Sequence, residues 1–173
     1  MNAMKKTILI HPDPRLKKIC EPVPDLSDEL RTLAEDMLES MYDAPGIGLA
    51  APQVGVLSRL IVMDCIKDGT PEPMVMFNPE VLGSSDELNT YEEGCLSIPE
   101  QFAEVTRPAD VRVGWIDMDG NPQERDFGGL WATCVQHEID HLQGKLFIDY
   151  LGPMKRQMMT RRSAKMKRER ARG

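Results

Sequence analysis

His137-Glu138-Ile139-Asp140-His141, running on into Leu142-Gln143-Gly144, is the stretch on which the reading of this chain turns. Two histidines four residues apart on a helix lie on one face, so both imidazoles can hold one metal ion. Glu138, one residue after the first histidine, can reach a water at that ion without being a ligand. A metal-dependent hydrolase needs that set: a Lewis acid, a water that it acidifies, and a base to move the proton. The helix is expected from about Leu130 to Gln143, with Gly128-Gly129 breaking what precedes it and Gly144 as its C-terminal stop. The pentapeptide alone also occurs on helices with no metal role, so its surroundings decide.

Upstream of that helix, Val111, Val113 and Trp115 alternate with Arg112 and Gly114, which predicts a strand with one buried face. Asp119-Gly120-Asn121-Pro122 is a turn, and Gln123 to Phe127 returns as the partner strand. Arg59 to Asp64 and Pro73 to Phe77 read as strands, Thr7 to Ile10 as a short strand, and Gly83 to Thr90 as a polar loop. Asp25 or Ser27 caps an early helix with Asp28 and Glu29 in its first turn. Leu26, Leu30, Leu33, Met37 and Met41 give that helix a buried stripe, and it stops before Pro45-Gly46. Pro153 opens a last helix in which Met154, Met158 and Met159 are expected to pack inward. Helix, several strands, helix is the order of an α+β fold, with no βαβ alternation. Residues 1–152 are expected to form the catalytic body, and 153–173 a basic helical tail.

The 173 residues fit one domain with a sizeable core, and 41% hydrophobic with 28% charged residues is ordinary for a globular protein. No apolar run approaches the ~20 residues of a membrane span. Met1 to Ile10 has no small-residue cleavage site and reads as no secretory signal. A cytoplasmic protein is therefore expected, with Cys20, Cys65, Cys95 and Cys134 as reduced thiols. The net charge of −7 hides an asymmetry: Leu151 to Gly173 holds nine Lys or Arg and one acid. That tail resembles an address for a polyanion, whereas the acidic remainder is no nucleic-acid surface, and neither DNA nor a membrane is an expected partner.

A catalytic site of this kind needs three protein ligands and one open position. His137 and His141 supply two. The third must be His11, an acid or a cysteine. Cys95 stands out because it sits in Glu92-Glu93-Gly94-Cys95-Leu96-Ser97, where Gly94 permits close approach; a free cysteine is otherwise most often a small buried hydrophobe. Cys65 reads as core. Gly46-Ile47-Gly48-Leu49-Ala50-Ala51-Pro52-Gln53 has too many small residues for an ordinary strand or helix, and Gln53 taken alone would be a surface amide.

Taken together, Gly46 to Gln53, Glu93-Gly94-Cys95-Leu96-Ser97 and Gln136 to Gly144 resemble, in order, the three signature motifs of bacterial peptide deformylase, and His11-Pro12-Asp13-Pro14-Arg15-Leu16 is also similar. The resemblance spans about Ile8 to Leu151. It implies antiparallel strands around a central metal-binding helix, and hydrolysis of the N-formyl group from the initiator methionine of nascent polypeptides, releasing formate. It further implies that Cys95, His137 and His141 bind the metal, that Glu138 is the general acid and base, and that Gln53 and the Leu96 backbone amide hold the oxyanion. Ferrous iron is the ion implied, with zinc or nickel able to replace it. A sulfur ligand suits Fe(II) or Zn(II) better than Mg(II).

Ile47, Leu130 and Cys134 are the residues expected to line the methionine pocket, and the backbone of Ile47 and Gly48 to bond an extended peptide. Leu130 and Cys134 are four apart on the metal helix, with Cys134 one turn before His137; core packing is the alternative for Leu130. Arg107 is a candidate partner for Glu93, and Asp140 for orienting the ligands. Phe102 stands where an arginine is common in the family and Thr133 where an aliphatic residue is frequent, and both would reshape the outer groove. The basic tail suits a ribosome, whose RNA is a polyanion. Two rival readings remain. A zinc metalloprotease or aminopeptidase needs a third ligand downstream of the helix, where this chain has no histidine and few acids. A ribosome- or RNA-binding protein with a structural metal leaves Gln53 and Glu138 without a task.

Overall fold

The computed structural model describes residues 4–173; Met1 to Ala3, part of the segment read above as carrying no secretory signal, lie outside the described residues. Helix α1 (Asp28–Asp43) starts where the acids of its first turn place it, capped by Ser27, whose hydroxyl accepts the Leu30 N–H at 3.2 Å. Seven strands follow: β1 (Gly48–Ala50), β2 (Leu60–Met63), β3 (Met74–Ser84), β4 (Leu88–Cys95), β5 (Ile98–Pro108), β6 (Asp110–Ile116) and β7 (Pro122–Gly128). Helix α2 (Gly129–Leu142) carries the two histidines, and α3 (Pro153–Arg172) ends the chain. A five-stranded antiparallel sheet has the order β1-β2-β3-β6-β7, and β4-β5 form a separate antiparallel pair. The fold is α+β, with antiparallel strands packed around α2, as expected. Among the described residues no helix is long and apolar enough to cross a membrane.

Strand β2 is buried on both faces, which is why Leu60-Ile61-Val62-Met63 reads as a continuous apolar run. Successive side chains point to opposite faces. Leu60 and Val62 join Met37 and Met41 of α1, with Leu49 and Phe77. Ile61 and Met63 face α2, joining Ala50, Val113, Trp115, Ala132, Cys134 and Val135. The sheet thus lies between the two helices, and α2 is held against its inner face. A third cluster, with Leu16, Ile98, Val105, Phe147 and Met159, fills the space between β5, the turn Phe147–Tyr150 and α3.

Three local expectations are corrected. Gly83 to Thr90 is a loop only over Ser85 to Glu87: β3 runs through Ser84 and β4 begins at Leu88. Its polar residues lie on strands whose outer sides are exposed, so no hydrophobic alternation marks them. Thr7 to Ile10 is not a strand; the Leu9 N–H donates to the Gln53 carbonyl and the His11 N–H to the Ser97 carbonyl, so the segment bridges two loops instead of joining a ladder. Of the three methionines expected inside α3, only Met159 is buried, whereas Met154 and Met158 are exposed. The packed stripe runs Met159 to Ser163, one turn apart, and Met158 falls about 100° off it.

The end of α2 is fixed by backbone, not by side chains. The Lys145 N–H reaches the Asp140 carbonyl and the Gly144 N–H the His141 carbonyl, with Gly144 left-handed at φ 72°. A Cβ at Gly144 would strike the Lys17 carbonyl oxygen and lie 2.6 Å from the Lys17 carbonyl carbon. Gly144→Ala is therefore expected to cost more than the roughly 1–2 kcal/mol that left-handed backbone alone costs an L-residue. Thermal unfolding of the two proteins checks this, and equal midpoints would show that the contact with Lys17 yields freely.

Candidate metal centre and substrate cleft

The metal-ligand candidates come from two elements. Cys95 ends β4 at a shift in the β4–β5 register, where the chain turns through Leu96 and Ser97 into β5. His137 and His141 stand one turn apart on the buried side of α2. The ligand atoms of the three residues lie within 4.8 Å of one another, and Cys95 Sγ is 3.4 Å from His141 Nε2. Of the three sources left open by the sequence for the third member, the cysteine joins the histidines. His11 is elsewhere, buried against α3 with Nε2 3.0 Å from Thr160 Oγ1.

A buried polar chain stands behind His137. Its Nδ1 lies 2.9 Å from Glu93 Oε1, so Nδ1 carries the proton and Nε2 is free to coordinate. Arg107 grips Glu93 through two bonds, Nε to Oε2 at 2.7 Å and Nη2 to Oε1 at 3.0 Å. Its third nitrogen reaches Asp140 Oδ2 at 2.8 Å, and Tyr150 donates to the same oxygen at 2.7 Å. The Arg107–Glu93 pair expected from sequence is present, and Asp140 acts on it from the side. The Glu93–His137 link and Tyr150 were missed. Burial works against charge on Glu93, but the His137 and Arg107 hydrogen bonds outweigh it and hold the carboxyl below its ordinary range.

Gln53 is buried in the short helical turn after β1, and its amide is oriented at both ends. Oε1 accepts the Ala50 N–H at 2.9 Å, which turns Nε2 toward Ser97 Oγ at 3.0 Å and Cys95 Sγ at 3.5 Å. Gln53 is no surface amide, and Ser97, quoted above only as the last residue of the second motif, holds it. The Leu96 side chain closes over Gly46, which joins the first and second motifs. Glu138 is buried beside Gly48, where any Cβ would collide with the Glu138 carboxylate and come 2.9 Å from Cys134 Sγ. Burial pushes the Glu138 carboxyl up to about 7, against the pull of His137.

The residues fit a divalent cation. Burial disfavours a proton on His137, yet Glu138, Cys95 and Glu93 draw positive charge onto it, while burial and the His137 charge keep His141 neutral. The field that favours one positive charge at the pair also favours a metal ion there. Glu138 Oε1 is buried with no hydrogen-bond partner among the described residues. Two imidazoles and a sulfur suit a soft or borderline ion such as iron or zinc.

A cavity of about 590 Å³ opens onto this group, lined by Ile47, Gly48, Leu130 and Cys134 among others. Leu130 is partly exposed there, so core packing does not account for it. Phe102 and Thr133 line the same cavity. The Ile47 carbonyl differs from expectation: it accepts the Asp64 N–H at 2.9 Å and the Cys134 thiol at 3.6 Å, which commits it to the protein itself.

Residues 5–157 match the family model described as polypeptide deformylase. The chain is 54% identical over 163 residues to a peptide deformylase of Rhodopseudomonas palustris (strain TIE-1), covering 92% of this chain and 93% of that one. It is 52% identical over 167 residues to one from Brucella suis biovar 1, covering 96% and 95%. A crystal structure of a peptide deformylase from Legionella pneumophila superposes with a TM-score of 0.91 at 47% identity, covering 98% of this chain and 99% of that one. One from Ehrlichia chaffeensis in complex with actinonin gives 0.90 at 36% identity, covering 97% and 99%. With the sulfur, the two imidazoles, the buried carboxylate and the oriented amide gathered at one cavity, the chain belongs to the peptide deformylase family, hydrolases that remove N-formyl groups from polypeptides.

Proposed function

We propose that Cys95, His137 and His141 hold one divalent ion, that Glu138 moves the proton, and that Gln53 with the Leu96 N–H stabilises the developing oxyanion. Ile47, Gly48, Leu130 and Cys134 receive the formyl-methionine end of a nascent polypeptide in the cytoplasm. Ferrous iron is the ion proposed, with zinc or nickel as replacements. The observation that carries this is the position of Cys95 Sγ, 3.4 Å from His141 Nε2 and 3.5 Å from Gln53 Nε2: the metal group and the amide donor share one corner of the cavity.

When bound, the ion supplies Lewis acidity to the formyl carbonyl and to the attacking water. Glu138 takes the proton from that water as its oxygen joins the formyl carbon. Negative charge gathers on the former carbonyl oxygen, where Gln53 Nε2 and the Leu96 N–H donate; losing one such donor typically costs ~10²–10³ in rate. The carbon–nitrogen bond then breaks, Glu138 returns its proton to the amine, and formate and a free amino terminus leave. Gly48, on edge strand β1, lets the peptide and the Glu138 carboxylate approach the same backbone. The methionine side chain lies along Leu130 and Cys134, which share a face of α2.

The basic helix α3 supports contact with ribosomal RNA. Truncation at Lys155 would strip Met159 and Ser163 from the core, so neutralising exposed charges is the cleaner test.

Formate release from formyl-Met-Ala by anaerobically iron-loaded protein tests the catalytic roles. Glu138→Ala is expected to bind one equivalent of metal and to lose at least about 10²-fold in turnover; retained turnover would remove Glu138 from the chemistry. Gly48→Val is expected to lower kcat/KM with metal content normal, because the added side chain meets Glu138 and Cys134. Unchanged kinetics would show that this close approach has no role. Replacing Lys155, Arg161, Arg162 and Lys165 by Gln is expected to weaken ribosome binding about tenfold or more at low salt, with a shallower salt dependence. Equal affinity at every salt concentration would end the ribosome proposal.

A further inference from the structure

Two basic residues, Lys67 and Arg170, line the cavity without a part in the proposed chemistry, and only Arg170 is carried by a helix fastened to the cavity wall. Arg170, near the end of α3, lines the same space as Gly48, Cys95 and Glu138. The way α3 is fastened brings it there. Gln101 Nε2 donates to the Met159 carbonyl at 3.0 Å, and the Ser163 hydroxyl donates to the His11 carbonyl at 2.6 Å. Residues four and seven apart share a helix face, so Met159, Ser163 and Arg170 lie on one stripe turned to the body of the protein. Gln101 is itself a wall residue of the cavity, beside Phe102, which is 61% exposed. The helix that carries Arg170 is thus tied to that wall.

Arg170 makes no ion pair among the described residues, although Glu92 and Glu100 line the same cavity. A guanidinium offers paired donors that match a carboxylate. The cavity of about 590 Å³ falls within the ~300–1,000 Å³ that holds a drug-sized ligand, which leaves room beyond a single formylated residue.

We propose that Arg170 is a specificity-determining residue, favouring formylated peptides that carry a carboxylate downstream of the formylated residue. This rests on the deformylase reading of the cleft. The contact lies away from the reacting carbon and is made equally in ground and transition states, so it acts on KM and not on kcat.

The test compares kcat/KM of metal-loaded protein on amidated formyl-Met peptides with Asp or its isostere Asn at the second, third or fourth position. Formyl-Met-Ala-Ala as free acid and as amide separates a terminal carboxylate from a side-chain one. The expected Asp-to-Asn ratio, or acid-to-amide ratio, is about two- to fivefold at low salt, the range of an exposed ion pair, and it fades in high salt. Arg170→Gln is expected to bring the ratio close to one, Arg170→Glu to invert it, Arg170→Lys to keep most of it, and Lys67→Gln, the control at the other cation of the lining, to leave it unchanged. The same ratio in wild type and Arg170→Gln at every position overturns the proposal while the deformylase reading stands. Failure of the wild type to release formate from formyl-Met-Ala itself overturns both.

Discussion

The buried chain Arg107–Glu93–His137 is the constraint on which the site depends. Arg107 is only 4% exposed, and its charge is balanced by Glu93 and Asp140 and flanked by the Tyr150 ring. Removing one partner from a buried pair of this kind typically costs about 3–5 kcal/mol, because the other charge is left uncompensated. The chain also joins four parts of the molecule: β5 through Arg107, β4 through Glu93, α2 through His137 and Asp140, and the turn after α2 through Tyr150. Those parts bring Cys95 and the histidines together. The ring orientation of His137 follows from the same bonds, so stability and ligand geometry have one cause.

Space is the second constraint, and it acts at the first motif. The stretch from Gly46 to Gln53 looked featureless because its job is to let other groups approach. Glu138 and Cys134 crowd Gly48, and Leu96 covers Gly46. Leu49 and Ala50 face opposite clusters, and Gln53 reaches back to the Ala50 N–H. The N-terminal segment then pins both loops, with Leu9 bonded to Gln53 and His11 to Ser97. The Gln53 turn and the cysteine loop are therefore held by one passing segment of backbone.

Much of the fold and site was legible in the sequence where a local rule sufficed. The ends of α1 and α2 follow from Ser27 and Gly144, whose capping chemistry is local. Strand β6 follows from its alternation, and the histidine pair from helical periodicity. The β4–β5 pair was half hidden. Strand β4 spells Leu-Asn-Thr-Tyr-Glu-Glu-Gly-Cys, and a strand with one exposed side carrying acids has no apolar rhythm to read. Glu93 was legible only as a partner for Arg107; its bond to His137, 44 residues away, exists only once β4 and α2 meet. The bond between Gln53 and Ser97 was hidden for the same reason. Met154 and Met158 misled because hydrophobicity alone was read, without the helix phase set by Met159 and Ser163.

The central claim is that one sulfur and two imidazole nitrogens hold the ion at the mouth of the peptide cleft. X-ray absorption at the metal edge of protein loaded with one equivalent of ferrous iron, recorded for wild type and Cys95→Ser, tests it most directly. The expected wild-type spectrum contains one sulfur and two imidazole scatterers, and the sulfur component vanishes in the variant. A wild-type spectrum with nitrogen and oxygen ligands alone, unchanged in Cys95→Ser, would contradict the account.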